Sequence, residues 1–290
     1  IALAALIGGV GTPAGSGTNI LTINMLENAA HVSVSFFQWT AIGMPMVLLL
    51  TPVAWWALIK VYPPEIQHLV GMESIGEDYA RLGPLSRKEK CFLLFLSINL
   101  LLWCSSGAHG LPLPTAAVLG CVLFALPGVG LITWEEDRSK IGWDILFLVG
   151  TASSLGMALW ENGTATWIAN ACLGGLNALP LTVVIALVSL FTILIHLVIP
   201  VNTPIVTVVL PPVVAIAVSM GINPAILAVP LGFSVSAAVL LPLDAVSLVT
   251  YQAGYYKMYD MFKPGIIISI AWIIITTALM YLIAAPLDLM

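Results

Sequence analysis

Apolar runs of about twenty residues recur along nearly the whole chain, and this feature limits the possible folds most strongly. A run of that length matches the ~20 residues that a helix needs to cross the hydrocarbon core of a bilayer. Of the 290 residues, 60% are apolar and 8% are charged, whereas a soluble domain carries roughly a quarter charged residues. The sequence lacks ten-residue alternating strands, so helices rather than a barrel must satisfy the backbone. It therefore predicts an all-α polytopic membrane protein.

Hydropathy and helix-breaking residues divide the chain into predicted segments. A broken helix at residues 1–31 precedes a span at 32–61 and a polar loop at 62–90. Residues 91–290 are predicted to form a second repeat, with spans at 91–106, 114–134, 143–173 and 266–287, a hairpin at 179–220 and a broken helix at 224–251. The chain opens inside an apolar stretch without a Met or a charged leader, so we expect a piece of a longer protein whose first repeat is incomplete here.

The basic residues all fall on one side of the bilayer when the chain is threaded through these spans. They are Lys60, Arg81, Arg87, Lys88, Lys90, Arg138, Lys140, Lys257 and Lys263. The positive-inside rule makes that side the cytoplasm, and we expect a bacterial inner membrane. Glu27, Glu161 and Asp288 fall at or towards the other face. This threading requires residues 179–220 to enter and leave through one face, and their uncharged turn at 200–204 favours a re-entrant hairpin over two full spans.

Three stretches combine helix breakers with Ser, Thr, Asn or Asp at membrane depth, at residues 8–19, 200–204 and 242–246. Non-helical backbone is tolerated there only where protein or a water-filled cavity satisfies it. Such breaks point helix N-termini at an anion, while the freed carbonyls and hydroxyls suit Na⁺. Gly and Pro also kink ordinary membrane helices, but three polar breaks in one chain favour an ion or substrate site.

The first break carries a family resemblance. Ile7-Gly-Gly-Val-Gly-Thr-Pro-Ala-Gly-Ser-Gly-Thr-Asn19 resembles the glycine-rich break of the divalent anion/sodium symporters, the DASS or INDY-type carriers. Val201-Asn-Thr203 resembles the second Ser-Asn-Thr hairpin tip of that family. Trp143–Gly150 resembles the segment before its F-G-G-G motif, and Ser236–Pro242 resembles the stretch before its second break. All four occur in the family's order, so the resemblance covers essentially the whole chain.

The resemblance implies an inverted-repeat, elevator-type carrier that is usually a homodimer. It would move C4-dicarboxylates, citrate-like anions or sulfate, coupled to Na⁺ or H⁺, without a cofactor, a catalytic residue or a nucleic-acid partner. Its partners would be the anion, the lipid bilayer and a second copy of the chain. Carried over by position, the substrate-binding residues are Ser16, Asn19, Asn202, Thr203 and Ala245. The cation-coupling residues are Gly15, Asn202 and Asp244, with Na⁺ expected at Gly15 and near Asn202 and Asp244.

Two departures from the family pattern leave alternatives open. Val201 replaces the first serine of the hairpin tip, and Asp244 begins the segment expected to read A-T-P-P-N. A carboxylate in an apolar run costs a few kcal/mol, so Asp244 predicts a coupling-ion or proton site or a hydrogen-bonded helix-end carboxylate. His196 is either a hydrogen-bonded buried histidine or a residue that senses protons or contacts the anion. An arsenite or proton/ion antiporter of the same ion-transporter superfamily is the main alternative function. A membrane-embedded enzyme is disfavoured because HExxH, GxSxG and paired aspartates within spans are absent from the sequence.

Overall fold

A computed structural model describes most of the chain. It covers residues 1–64, 83–105, 109–111, 113–126, 131–140, 179–199, 201–252, 254 and 256–284, with isolated residues between 143 and 176. The centre of the predicted loop at 62–90, most of the predicted span at 143–173, Pro200 of the predicted turn, and Asp288 lie outside the described residues. The regular structure of the described part is helical, without a β-strand. The helical class predicted from the sequence is therefore confirmed.

Ten helices of at least eight residues are described. In chain order they are α1 (Ala2–Gly9), α2 (Gly17–Ala30), α3 (Phe36–Val61), α4 (Arg87–Cys104), α5 (Leu113–Phe124), α6 (Leu181–Ile195), α7 (Asn202–Ser219), α8 (Ala225–Val235), α9 (Ala245–Gln252) and α10 (Phe262–Ile283). Short 3₁₀ segments lie at Pro13–Gly15, Arg138–Lys140 and Met258–Met261, and a single helical turn at Trp134–Asp137. Within the described residues, three helices are long and apolar enough to cross a bilayer: Phe36–Val61, Asn202–Ser219 and Met258–Ile283.

The chain divides into two compact units, Tyr62–Gly142 and the remainder. In the smaller unit, Ser86 and Glu89 form a capping box that fixes the start of α4. The Ser86 N–H donates to Glu89 Oε2 at 2.7 Å, and the Glu89 N–H donates to Ser86 Oγ at 3.3 Å. Hydrogen bonds to the Glu89 carboxylate from the Ser86 backbone N–H and, secondly, from the Ser86 hydroxyl lower the pKa of this exposed carboxyl, because they stabilise its charged form.

In the same unit α4 packs against α5 through small and aromatic residues. Gly120 lies against the Asn99 side chain, and a Cβ at residue 120 would stand 2.9 Å from the Asn99 amide atoms. The Phe124 ring stacks on Phe92 with centroids 5.6 Å apart. A glycine at this contact lets the two helices approach closely, as is usual for helix pairs in membranes.

The larger unit is built around α3 and α10, which pack against each other, and α10 also contacts α6 and α8. Its core contains Trp39 and Phe233, whose rings meet edge to face at 4.9 Å. Two thirds (67%) of the α7 window is buried inside the protein, compared with 33% for the windows in Phe36–Val61 and Met258–Ile283. Protein therefore surrounds α7, whereas α3 and α10 each present an apolar face outward, as helices in contact with lipid do.

The two broken helices are interrupted over stretches of similar length, but only the first interruption lies within the predicted stretch. The first is interrupted between Gly9 and Gly17, within the stretch that the sequence indicated. The second is longer than the predicted break at 242–246, because α8 already ends at Val235 and α9 begins at Ala245. Pro242 disfavours helical backbone at the residue before it. The longer break also includes Val239, whose carbonyl lies against Gly265, as described below.

Candidate functional site

The two broken helices lie side by side in the larger unit. The helix before the first break, α1, packs against α9, which follows the second break. The helix after the first break, α2, packs against α8, which precedes the second break. Each pairing joins the leading half of one broken helix to the trailing half of the other. The two therefore run antiparallel, and their breaks are neighbours.

The fully buried Asn19 links the two ends of the first break through its side chain. Its side-chain Nδ2 donates to the Gly9 carbonyl at 2.8 Å and to the Thr12 carbonyl at 2.9 Å. These bonds tie the first turn of α2 to the end of α1. The amide orientation is clear, because the opposite one would place an oxygen against two carbonyl oxygens. Both N–H groups are thus used within the break, and Asn19 Oδ1 is buried with no hydrogen-bond partner among the described residues.

Gly15 and Ser16 lie between the two half-helices of the first break. A Cβ at residue 15 would collide with the Gly9 carbonyl oxygen, so this backbone approach requires glycine. Ser16 is the N-cap of α2: its Oγ accepts from the Thr18 N–H at 3.4 Å and hydrogen-bonds Thr18 Oγ1 at 2.8 Å. The α2 N-terminus is therefore capped by small polar groups.

The long helix that follows each broken helix carries a glycine that lies directly against a backbone carbonyl of the break. A Cβ at Gly43 of α3 would lie 2.7 Å from the Val10 carbonyl oxygen, and a Cβ at Gly265 of α10 would collide with the Val239 carbonyl oxygen. Trp39 of α3 also donates its indole N–H to the Val10 carbonyl at 3.0 Å. Neither glycine belongs to the motifs identified in the sequence. A lone glycine in a predicted span signals close backbone approach, which could have identified both.

The second break contains Asp244, which directly precedes α9 and is buried, with 6% of its surface exposed. Its backbone carbonyl accepts from the Leu248 N–H at 2.9 Å, so it occupies the N-cap position of α9. Ala245 is the first residue of that helix. Asp244 and Ala245 therefore lie where the second break meets a helix N-terminus.

The turn between α6 and α7 is connected to the second break through His196. The His196 side chain is buried, and its Nε2 lies 2.6 Å from the carbonyl of Val235, the last residue of α8. Of the two interpretations of His196 in the sequence, this geometry favours the hydrogen-bonded buried histidine. Asn202 and Thr203 begin α7, which packs on both α2 and α8. The predicted residues of the turn thus belong to a helix that contacts both broken helices.

Several buried side-chain oxygens without a hydrogen-bond partner among the described residues lie in the elements of the two breaks and the turn, and others lie in α3, α4, α6 and α10. Those at the breaks and the turn include Asn19 Oδ1, Asn202 Oδ1, Ser234 Oγ, Ser236 Oγ and Ser247 Oγ. Buried polar atoms normally have partners. All nine basic residues lie between residues 60 and 140 or at 257 and 263, outside the segments that form the breaks. The site is thus oxygen-rich, with helix N-termini instead of basic side chains.

A family model described as "Sodium:sulfate symporter transmembrane region" matches residues 1–289. The chain belongs to this family. The match covers both breaks and the turn between α6 and α7, so the resemblance stated from the sequence motifs is confirmed, and the chain is part of an integral membrane protein of the symporter family.

Three relatives illustrate the range of the family. The chain is 28% identical to a "Membrane protein" of Cupriavidus necator, with 84% of this chain aligned to 49% of that protein. It is 26% identical to human "Solute carrier family 13 member 1" (93% of this chain, 53% of the relative). It is 24% identical to "Sodium-dependent dicarboxylate transporter SdcS" of Staphylococcus saprophyticus (99% and 58%). The chain thus spans about half the length of these relatives.

Proposed function

We propose that the chain forms part of the transport core of a secondary active transporter that moves small divalent anions together with Na⁺ and catalyses no chemical reaction. The observation that supports this most strongly is the antiparallel pair of broken helices, each supported by a glycine of the following long helix. Relatives named as dicarboxylate and citrate carriers support the same cargo class, C4-dicarboxylates, citrate-like anions or sulfate.

The anion would be held by helix N-termini. Three helices, α2, α7 and α9, begin at a break or at the turn. Their free N–H groups and positive dipole ends can bind a carboxylate or sulfate without a basic side chain. Ser16, Thr203 and Ala245 stand at or next to these three helix starts, so they are the proposed substrate-contacting residues, with Asn202 beside them.

Na⁺ would be held by the carbonyl and amide oxygens of the breaks. Asn19 has no N–H left to offer an anion, and its buried Oδ1 accepts only, which suits a cation. We therefore place Asn19 next to Na⁺ rather than next to the anion, with the Gly15 backbone as its neighbour. Asn202 Oδ1 and Asp244 are the proposed oxygen ligands of a second cation.

The architecture proposed for the whole transporter is an inverted repeat that works by an elevator motion, usually as a homodimer. The repeat is supported by the same order of elements in α1–α3 and α8–α10: a short helix, a break, a second helix and a long span. The largely buried α7 supports the re-entrant hairpin, since a lipid-facing span would expose more of its surface.

Buried Asp244 also supports a second candidate function, that of an arsenite or proton/ion antiporter of the same superfamily. A carboxylate among apolar helices marks either a proton relay or a cation pathway. Under symport the role of Asp244 is cation coupling, and under antiport it is proton exchange.

The test is uptake by the protein reconstituted in proteoliposomes. Labelled succinate, citrate and sulfate are each offered with an inward Na⁺ gradient, an inward proton gradient or neither. Symport predicts accumulation of at least one anion that depends on the Na⁺ gradient. In proteoliposomes loaded with labelled arsenite, efflux driven by an inward proton gradient, without Na⁺-driven anion uptake in the first assay, would replace the proposal with the antiporter.

Asp244→Asn tests the coupling role in the same assay. It removes the charge but keeps the side-chain size, so we expect the dependence of uptake on Na⁺ or pH to change while the protein remains folded. Unchanged Na⁺ and pH dependence in Asp244→Asn would show that this carboxylate only caps α9.

A further inference from the structure

The end of α8 is held by a side chain from another helix. Val235, the last residue of α8, is fully buried. In a continuing helix its carbonyl would accept from the N–H four residues later, that of Val239. The Val239 N–H instead donates to the Ala237 carbonyl at 2.8 Å, and the Val235 carbonyl bonds His196 Nε2 at 2.6 Å. His196 therefore supplies a donor to the last turn of α8, where the helix has none of its own.

The direction of this bond follows from the chemistry of its two atoms. A carbonyl oxygen carries no proton, so Nε2 of His196 carries the proton and donates it. His196 is the C-cap of α6, and 4% of its surface is exposed. Because α6 packs against α8, helix packing positions the imidazole. The bond thus joins the end of α6 to the start of the second break.

The second break makes short-range backbone bonds of its own. The Val239 N–H bonds the Ala237 carbonyl, and the Leu243 N–H bonds the Leu241 carbonyl. Bonds between residues two positions apart shape single turns but do not tie a segment to neighbouring helices. His196 also borders a cavity of about 10 Å³, which is the size of about one water molecule. The break contributes Ala237, Ala238, Leu240, Leu241 and Leu243 to the lining of this cavity. The imidazole therefore lies directly beside the break.

The first break holds the matching carbonyl in a different way. The carbonyl of Gly9, the last residue of α1, accepts from Asn19 at 2.8 Å. Asn19 belongs to α2, the second half of the same broken helix. The first break is therefore linked internally, whereas the second takes its donor from α6. The shape of the second break consequently depends on how α6 is seated against α8.

We propose that His196 is a positioning residue whose N–H ends α8 at Val235 and so holds the second break in the shape that places Asp244 at the start of α9. The helices α6 and α7 with their turn thereby control the second break, and the first break is independent of them. The consequence for transport rests on the proposed function, whereas the contact that shapes the break does not.

Hydrogen exchange followed by mass spectrometry tests the contact, on the protein in lipid nanodiscs, by comparing residues 236–243 with residues 10–16. His196→Gln and His196→Asn are a matched pair of amides, because the Gln side-chain N–H reaches about as far as Nε2 and that of Asn is one bond shorter. His196→Asn should speed exchange at residues 236–243 roughly three- to tenfold, the factor for one hydrogen bond, and leave residues 10–16 unchanged. His196→Gln should exchange like the wild type.

Asn19→Leu is the reciprocal control, since it should speed exchange at residues 10–16 and leave residues 236–243 unchanged. Equal exchange at residues 236–243 in the wild type and His196→Asn would overturn the proposal. Equal acceleration of both breaks in His196→Asn would do the same, because it indicates a general loss of packing. A His196→Gln protein that exchanges as fast as His196→Asn would show that the donor has no part in shaping the break.

A measurement on the wild type keeps the test open if His196→Asn does not fold. In protein labelled with ¹⁵N-histidine, the nitrogen chemical shifts distinguish a protonated ring nitrogen from a bare one. The His196 signals, identified by their loss in His196→Gln, should show the proton on Nε2. A bare Nε2 would overturn the contact.

Uptake in proteoliposomes tests the consequence for the site. His196→Asn should raise the anion concentration for half-maximal uptake by about twofold or more, because a smaller fraction of the protein holds the second break ready to bind. The maximal rate should stay within about twofold of the wild type. Unchanged half-saturation despite faster exchange would refute the role of His196 in the site. Absence of Na⁺-dependent uptake by the wild type would refute the proposed function, while the exchange data would still decide the positioning role.

Discussion

Asn19→Leu should open the first break while leaving the size of the side chain almost unchanged. Asn19 is fully buried and donates two hydrogen bonds, at 2.8 Å to Gly9 and at 2.9 Å to Thr12. Leucine fills a similar volume but offers no donor. Each carbonyl would then lose its side-chain donor, at a cost of about 1–3 kcal/mol for a buried polar group. The free energy of unfolding should therefore fall by roughly 2–6 kcal/mol.

Thermal unfolding in detergent can measure this loss. About 2–4 °C of melting temperature corresponds to 1 kcal/mol in proteins of 150–250 residues, so we expect a fall of roughly 5–20 °C. Unfolding of a membrane protein is often irreversible, so variants are compared at one heating rate. Na⁺ should raise the melting temperature of the wild type but not of Asn19→Leu, because the proposed cation contact has also been removed.

Two further variants separate donor loss from other causes. Asn28→Leu makes the same chemical change at an exposed position of α2 and should leave the melting temperature nearly unchanged. Asn19→Asp keeps the shape but sets a carboxylate against two carbonyls, so it should be at least as unstable as Asn19→Leu. A melting temperature of Asn19→Leu within about 2 °C of the wild type would refute the closing role of Asn19.

Two other predictions concern backbone contacts and helix capping. Gly43→Ala and Gly265→Ala should each lower stability by about 1–3 kcal/mol, because the new Cβ meets a break carbonyl. Gly8→Ala, where a Cβ would meet nothing within 4 Å, should be neutral or stabilising, and thermal unfolding distinguishes the three. Ser86→Ala should speed hydrogen exchange in the first turn of α4 roughly fivefold. Since the pKa of Glu89 is lowered from 4.5, its stabilising contact is present at neutral pH and is lost as pH falls below that value, so the protection of these amides relative to their intrinsic exchange rate should also fall in acid in the wild type.

The sequence was most informative where the local residue types determine the backbone conformation. The glycines and Pro13 of the first break, and the near absence of charge, identified a helical membrane protein and the position where its first helix is interrupted. Few other backbone conformations are open to residues 9 to 17, because Gly15 lies directly against Gly9.

The second break shows what local sequence could not supply. Residues 236–241 read as helix, yet Val239 is held against Gly265, which lies 26 positions further along the chain. Asn19 likewise resembled a substrate ligand by position, whereas its two bonds to Gly9 and Thr12 depend on the folded break. The pairing of α1 with α9 and of α2 with α8 is also a tertiary property that no local pattern encodes.

The charge inventory gives a reason for cation coupling that does not depend on the relatives. The segments that form the two breaks and the turn contain Asp244 but no Lys or Arg. A divalent anion entering beside Asp244 would bring three negative charges together among apolar helices. Two like charges about 5 Å apart repel by roughly 3 kcal/mol even at an effective dielectric constant of 20. Helix N-termini contribute only about half a charge each. If the dianion binds at the proposed position, added cations or a proton on Asp244 would offset this repulsion, so the affinity for the anion should rise with Na⁺ concentration or with acidity.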